Sequence, residues 1–160
     1  AVEHIMTPRT VVFSLSEAQT VGKVLEEHPQ SPFSRIPVYR GSRDEVTGYV
    51  MRDDILLKAA NDEPDVPLAE LRRPIKVVPD TTRLTGLFDA MLEERTHIAL
   101  VVDRFGGAAG VATMEDLLET LIGMEIVDEV DHVEDMQELA RRHWERRARK
   151  RGLIPLTEEE

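Results

Sequence analysis

Cysteine is absent from the 160-residue chain, which excludes disulfides, thiolate catalysis and cysteine-based zinc sites. Aromatic residues make up only 4% of the sequence, so Val, Ile, Leu and Ala must form most of the core. The longest strongly apolar run, residues 98–102, is far shorter than the roughly 20 residues that cross a bilayer. No secretory signal is present. Because the chain opens on Ala1, we expect a piece of a longer protein, with any membrane anchor outside this piece.

Catalytic patterns are absent from the sequence as well. It contains no Ser/His/Asp arrangement, no Walker-type loop and no Gly-x-Gly-x-x-Gly motif, and its five histidines show no paired ligand spacing. We therefore predict that the chain is not an enzyme.

The net charge of −11 is unevenly distributed. Residues 141–160 carry seven Lys or Arg against four Glu, so the first 140 residues carry a net charge of −14. A body this acidic repels nucleic acid, so we predict no nucleic-acid partner for the first 140 residues. We interpret the basic segment 141–151 as a solvated helical tail, with contact to RNA or anionic lipid as the alternative. The acidic stretch 125–138 is interpreted as a solvated helix face rather than a loose Mg²⁺ site, and metal ligands stay unknown.

An internal repeat becomes visible when the sequence is shifted by 62 residues, which places residues 34–56 on residues 96–118. The equivalent pairs include Ile36 with Ile98, Gly48 with Gly110, and Asp54 with Asp116. Farther upstream, Val11 and Val12 align with Val77 and Val78. The chain is therefore read as two copies of one unit of about 60 residues.

Both copies have the predicted element order β-α-β-β-α. In the first copy the strands are 11–13, 36–39 and 46–51, and the helices cover 21–27 and 53–60. In the second copy the strands are 76–78, 98–103 and 108–113, and the helices cover 84–94 and 114–123, the last ending at Gly123. We predict an α/β fold of tandem repeats packed as a pseudo-twofold pair, over residues 1–62 and 63–127. An acidic, then basic, helical tail covers 128–160.

The stretch GVATMEDL, residues 110–117, marks the corner between the last predicted strand and the last repeat helix. Thr113 and Asp116 have the spacing of a capping box, whose side chains satisfy N–H groups of the first helical turn. A carboxylate at a helix N-terminus also suits a ligand, because it accepts two hydroxyl donors through charge-assisted hydrogen bonds. Taken alone, the spacing favours the cap.

Several longer motifs strengthen the ligand interpretation: IMTPR (5–9), FSRIPVY (33–39), GVATMEDLLETLIG (110–123) and EIVDEVD (125–131). With the duplication, they resemble the cytosolic CBS-domain pair, or Bateman module, of the CorC/HlyC and cyclin M magnesium-transport proteins. The resemblance covers Val2 to Asp131. It implies a position on the cytoplasmic side of the membrane, next to a transport domain outside this chain. The tail is too short and too charged for the small extra domain that often follows the pair in that family.

In nucleotide-binding CBS units, the Asp of this corner binds both ribose hydroxyls and the Thr adds a polar contact. The resemblance implies one ATP cleft, lined by Thr7, Phe33, Ser34, Arg35, Ile36, Pro37, Thr113, Glu115 and Asp116. Arg35 is the implied phosphate clamp, because a guanidinium matches phosphate oxygens bidentately. Mg²⁺ is the expected counter-ion of the phosphates. The alternatives are a surface ion pair for Arg35, a local cap for Thr7, and core positions for Phe33 and Ile36.

The two corners differ at the position of the polar neighbour, where the first copy has Met51 and the second has Thr113. The first corner therefore keeps Asp54 but loses its polar neighbour, and we expect one competent and one degenerate site per chain. His97 replaces Arg35 in the second copy and is a weaker cation near neutral pH.

The sequence thus predicts a regulatory Mg-ATP-binding module that forms a homodimer through its CBS pairs. An apolar seam over residues 117–127 favours the dimer. The alternatives are a structural dimerisation module with an empty cleft, and a sensor of AMP or S-adenosylmethionine. The transported cation, and whether occupancy activates or inhibits transport, are left open.

Overall fold

The computed structural model describes residues 1–129 and 136–151. The first repeat consists of β2 (Leu15–Ser16), α1 (Val21–Glu27), β3 (Arg35–Tyr39), β4 (Val46–Met51) and α2 (Arg52–Ala60). The second consists of β5 (Lys76–Pro79), α3 (Leu84–Glu94), β6 (Ile98–Val102), β7 (Ala108–Thr113) and α4 (Met114–Glu129). The remaining elements are β1 (Thr7–Pro8), α5 (Met136–Lys150) and the 3₁₀ helices Val2–His4 and Leu68–Glu70. The predicted α/β repeat is confirmed.

Each repeat forms its own sheet, and the strand pairing is the same in both. The first sheet has the order β2-β3-β4 and the second the order β1-β7-β6-β5. In each repeat the first strand runs parallel to the second, and the second runs antiparallel to the third. The additional strand of the second sheet is β1, so the N-terminal segment of the chain joins the second repeat.

Side chains of β6 face two cores in alternation, because successive residues of a strand point to opposite faces. Ala99 and Val101 pack with apolar side chains of α3 and α4 in the core of the second repeat. Ile98 and Leu100 pack in a third cluster that includes Tyr49 of β4, between the two repeats. Burial on both faces explains why this strand is the longest apolar run of the sequence.

The core of each repeat also contains residues from the other side of the predicted boundary at residue 62. Val2 and Ile5 are buried in the core of the second repeat, and Leu68 is buried in that of the first. The boundary therefore describes the duplication in the sequence, and as a domain limit it stays a prediction.

The predicted strand over residues 11–13 is wrong. Val11 lies in a turn, closed by a hydrogen bond from its N–H to the Pro8 carbonyl oxygen (2.9 Å), and the strand is β2, four residues later. Leu15 pairs with Val38 as Val77 pairs with Leu100, so Leu15 is the true counterpart of Val77. The strand pairing decides the register, and it places a buried residue in β2, since Leu15 is 4% exposed and Val11 is 66% exposed.

The predicted helix end at Gly123 is also wrong, because α4 continues to Glu129. A glycine commonly ends a helix by adopting a left-handed backbone, but Gly123 does not have a positive φ. Gly123 is instead buried within the helix.

Candidate functional site

The corner between β7 and α4 has the local structure of a helix cap. Thr113 ends β7, and its hydroxyl oxygen accepts a hydrogen bond from the Asp116 backbone N–H at 3.2 Å. This bond satisfies one of the free donors of the first turn of α4. The capping interpretation is therefore right for Thr113, and it leaves the Asp116 carboxylate available to other partners.

Thr7 is brought to this corner by the pairing of β1 with β7. Thr7 pairs with Val111, and Pro8 pairs with Gly110. A side chain at Gly110 would not fit, because a Cβ there would lie 2.3 Å from the Thr7 carbonyl oxygen. The glycine that opens GVATMEDL thus permits the close approach of the N-terminal segment.

The Asp116 carboxylate forms an ion pair with the Arg147 guanidinium of α5. The same guanidinium lies 3.5 Å from the Glu115 carboxylate and 3.3 Å from that of Glu119. Arg151 adds a further contact to Glu115 at 3.4 Å. The prediction of a solvated tail is therefore wrong for this helix, which folds back onto the predicted site.

Burial at this contact shifts two pKa values. Burial raises the pKa of the Glu119 carboxyl, and the nearby negative charge of Glu115 adds to the effect. Burial also lowers the pKa of Arg147, opposed by its attraction to Glu115. An arginine remains protonated at neutral pH even so, which keeps the pair between Arg147 and Asp116 ionic.

A cavity of about 370 Å³ opens beside the corner. Its wall combines the N-terminal segment, the start of α4 and one face of α5: Glu3, His4, Ile5, Met6, Thr7, Pro8, Val11, Asp116, Glu119, Thr120, Arg141, His143 and Trp144. Two of the predicted site residues, Thr7 and Asp116, therefore line one cavity. Trp144, which sequence reasoning did not include, lines it with them.

The predicted residues 33–37 lie elsewhere, and none of them lines this cavity. Phe33 stacks on Phe13 with a ring separation of 5.6 Å, and the Ser34 carbonyl accepts a hydrogen bond from the Arg52 backbone N–H at 2.9 Å. Ile36 is 2% exposed in the core of the first repeat, and Pro37 is buried beside it. Arg35 is partly exposed at the start of β3. The roles of these five residues toward a ligand stay predictions.

The first-repeat corner contains an equivalent carboxylate with a different partner. Asp54 accepts a hydrogen bond from the Arg73 guanidinium at 2.8 Å. The Arg73 backbone pairs with Tyr49 through two hydrogen bonds of 2.8 and 3.0 Å, which places this arginine on the edge of the first sheet. Met51 precedes α2 and provides no side-chain cap. The segment that contains Arg73 thus occupies the position that β1 has in the second repeat.

Comparison with known proteins gives the same picture. A model of the CBS domain matches residues 68–123. A UPF0053 protein of Synechocystis sp. is 37% identical over 94% of this chain and 43% of its own length. The magnesium and cobalt efflux protein CorC of Salmonella typhimurium is 34% identical over 92% of this chain and 51% of its own. A solved CBS domain of the bacterial CNNM/CorC family Mg²⁺ transporter, in complex with ATP, has a TM-score of 0.72 and 32% identity, covering 76% of this chain and 87% of that one.

The duplicated sheets, the exchanged segments and the two carboxylate corners define a CBS-domain pair. The chain belongs to the CNNM/CorC family of magnesium transporters and efflux proteins. It spans about half the length of the curated relatives that it matches.

Two further findings concern the residues that the structure describes. Across 1–129 and 136–151, no helix combines the length and the apolar character needed to cross a membrane. In the same residues, no group of three or more His, Asp or Glu side chains has an arrangement suited to a metal ion. The predicted acidic stretch 125–138 lies partly outside the described residues.

Proposed function

We propose that this CBS pair binds ATP with Mg²⁺ at the second-repeat corner and regulates a transport domain outside the chain. The observation that carries the proposal is that Thr7 and Asp116, which are 109 positions apart in the sequence, line one cavity. The similarity to a CBS domain solved with ATP supports the choice of nucleotide. The module then acts on the cytoplasmic side of the membrane, as a binding unit and not as an enzyme.

Asp116 is the proposed ribose ligand, because its carboxylate accepts two hydroxyl donors at once. Thr113 accepts the Asp116 N–H bond, and its own O–H remains available as a donor to the sugar. Arg35 is the proposed phosphate clamp, from the start of β3. Mg²⁺ arrives with the phosphates, whose charge it neutralises beside this acidic body.

Regulation follows when the nucleotide binds one arrangement of the two repeats, or of two modules in a dimer, more tightly than another. A ligand shifts such an equilibrium only by its differential affinity for the two states. The third core, which contains side chains of both repeats, is the contact through which a change in the second corner reaches the first repeat.

Titration calorimetry of the full chain with ATP, AMP and S-adenosylmethionine, each with and without Mg²⁺, tests the proposal. We expect ATP to bind, and Mg²⁺ to strengthen its binding by relieving repulsion from the acidic protein. Tighter binding of AMP or S-adenosylmethionine than of Mg-ATP would identify a different sensor. Absence of binding by all three ligands would instead leave a structural dimerisation module.

A further inference from the structure

Helix α5 makes specific contacts with the second repeat that the proposed function does not use. Ala148 is 2% exposed, so one face of this basic helix is buried. His143 lies 3.5 Å from the Glu119 carboxylate of α4, and Trp144 lines the cavity beside the corner. The helix therefore packs on the corner through nearly two turns, from His143 to Ala148.

The contact is centred on the residue that the nucleotide requires. Arg147 lies among three carboxylates, those of Glu115, Asp116 and Glu119, and its side chain is only 18% exposed. Charge-assisted hydrogen bonds of this kind are stronger than neutral ones. The guanidinium thus provides the positive charge that this acidic cluster needs in the absence of a ligand.

A ribose and Arg147 cannot both have full access to Asp116. The Asp116 side chain is 12% exposed with α5 in place, and a carboxylate that binds two hydroxyls in parallel must present both oxygens to the sugar. Undocking of α5 removes the guanidinium and one wall of the cavity, formed by Arg141, His143 and Trp144. The bound helix and the bound nucleotide are therefore alternative partners of one carboxylate.

We propose that α5 is an intramolecular latch that competes with nucleotide for Asp116, with Arg147 in place of the ribose. The latch rests on the proposed function, because it acts on the same corner. Its energetic consequence is general: a ligand that binds only the open form has an apparent affinity reduced by the fraction of open molecules. Linkage makes the effect reciprocal, so nucleotide binding releases α5 and its basic surface.

The experiment compares three full-length proteins: wild type, Arg147→Ala and the matched control Arg146→Ala. Arg146 is exposed on the same helix, so its replacement removes the same charge without breaking the Asp116 ion pair. Each protein is titrated with Mg-ATP and with adenosine. Adenosine has a ribose but no phosphate, and its affinity therefore does not respond to the change in charge near the phosphates.

We expect Arg147→Ala to bind both ligands about tenfold more tightly than wild type, as for a latch that is closed in about nine molecules of ten. Arg146→Ala should stay within about twofold of wild type, because this exposed charge contributes only a small attraction to Glu119. Trp144 is the only tryptophan of the chain, so its fluorescence reports the helix directly. Its emission should shift to the red when ATP binds wild type, and should already be shifted in ligand-free Arg147→Ala.

Equal binding by Arg147→Ala and wild type would overturn the latch while leaving the nucleotide site intact. Weaker binding would instead make Arg147 part of the site. An unchanged Trp144 emission on saturation with ATP would also overturn it, because the helix would then stay docked. Failure of all three proteins to bind either ligand would overturn the proposed function, and the latch with it.

Discussion

Asp54 and Asp116 occupy equivalent positions in the two repeats, and each carboxylate is bonded to an arginine. The partner of Asp54 is Arg73, which lies between α2 and β5 and pairs through its backbone with Tyr49. The partner of Asp116 is Arg147, which lies on a separate helix after the repeat. The first carboxylate is therefore paired with a residue on a sheet edge, and the second with a residue on a helix that belongs to neither sheet.

This difference supports the second-repeat corner as the proposed ligand site. Two backbone hydrogen bonds to the first sheet hold the Arg73 main chain beside Asp54, and its neighbour Arg72 is bonded to the buried Glu17. In the second corner the equivalent sheet-edge position is taken by Thr7, whose small side chain leaves the Asp116 carboxylate free for Arg147. Both copies thus contain the carboxylate, and they differ in the residue at the neighbouring sheet edge, which is Arg73 in the first and Thr7 in the second.

Replacement of the two carboxylates gives the largest expected effect. In the Arg147→Ala chain, where α5 is open, Asp116→Asn should lower ATP affinity roughly ten- to a hundredfold, since hydrogen bonds to a charged group are worth about 1.5–3 kcal/mol. Asp54→Asn in the same chain is the matched control and should have no effect. Calorimetry measures both. Equal losses from the two variants would contradict the asymmetry of the corners.

Removal of Arg35 tests the phosphate half of the site. Arg35→Ala should weaken ATP binding by about tenfold, the loss expected for one charge-assisted contact, and should leave adenosine binding unchanged. His97 takes the equivalent position in the second repeat, and His97→Ala is the control that should alter neither affinity. If Arg35→Ala lowers the affinities for ATP and for adenosine equally, the residue shapes the site without binding phosphate.

The number of nucleotides bound per chain tests the degenerate corner. We expect a calorimetric stoichiometry near one for wild type, because Met51 provides no hydroxyl and Arg73 pairs with Asp54. Met51→Thr supplies the missing hydroxyl, and Arg73→Ala removes the partner of the Asp54 carboxylate. The double variant should therefore raise the stoichiometry toward two. A value near two in wild type would show that these residues do not disable the first site.

Much of this fold was predictable because it follows from local patterns and from the duplication. The helix over 84–94 was predicted, its residues Leu84, Leu87 and Met91 have helical spacing and are buried, and Thr113 was predicted as a cap. The strand β2 was missed because Val11 and Val12 have the higher β propensity, whereas pairing with β3 is decided by long-range burial.

The latch contact was not predictable by the same means. Arg147 and Asp116 are separated by 31 positions and no periodicity links them. The available signal was weak: Trp144 and Ala148 are four residues apart in a strongly basic helix, so they lie on one face. That spacing indicates a buried face, but not the surface against which the face packs.

The next expected effect is self-association, which should double the molecular mass measured in solution. Leu56 and Leu57 of α2, and Leu118 and Ile122 of α4, are roughly half exposed, so both repeats present apolar side chains to solvent. We expect a dimer by light scattering at micromolar concentration. Leu118→Glu combined with Ile122→Glu should give a monomer, whereas Leu92→Glu, at an exposed position of α3, should not. A monomeric wild type would contradict the predicted dimer.

The smallest expected effect is a loss of stability at low pH. It concerns Glu17, which binds Arg72 beside the first-repeat corner. Glu17 is 7% exposed in its side chain and binds Arg40, Thr47 and Arg72. The hydrogen bond from Arg40 lowers the pKa of Glu17 most, with contributions from Thr47 and Arg72, and these outweigh the opposing effect of burial. The result is a folded-state pKa of about 2, against an ordinary value of 4.5.

A lowered folded-state pKa has a defined consequence for stability. The ionised Glu17 stabilises the fold fully above its unfolded pKa near 4.5, and this contribution is lost as the pH falls toward 2. The Tm of wild type should therefore fall more steeply over this interval than that of Glu17→Gln, which has no carboxylate to protonate. Glu26→Gln removes an exposed carboxylate and should retain the wild-type slope. Because Glu17 anchors Arg72 next to Arg73, equal slopes for all three proteins would mean that the first corner is held by its backbone pairing alone.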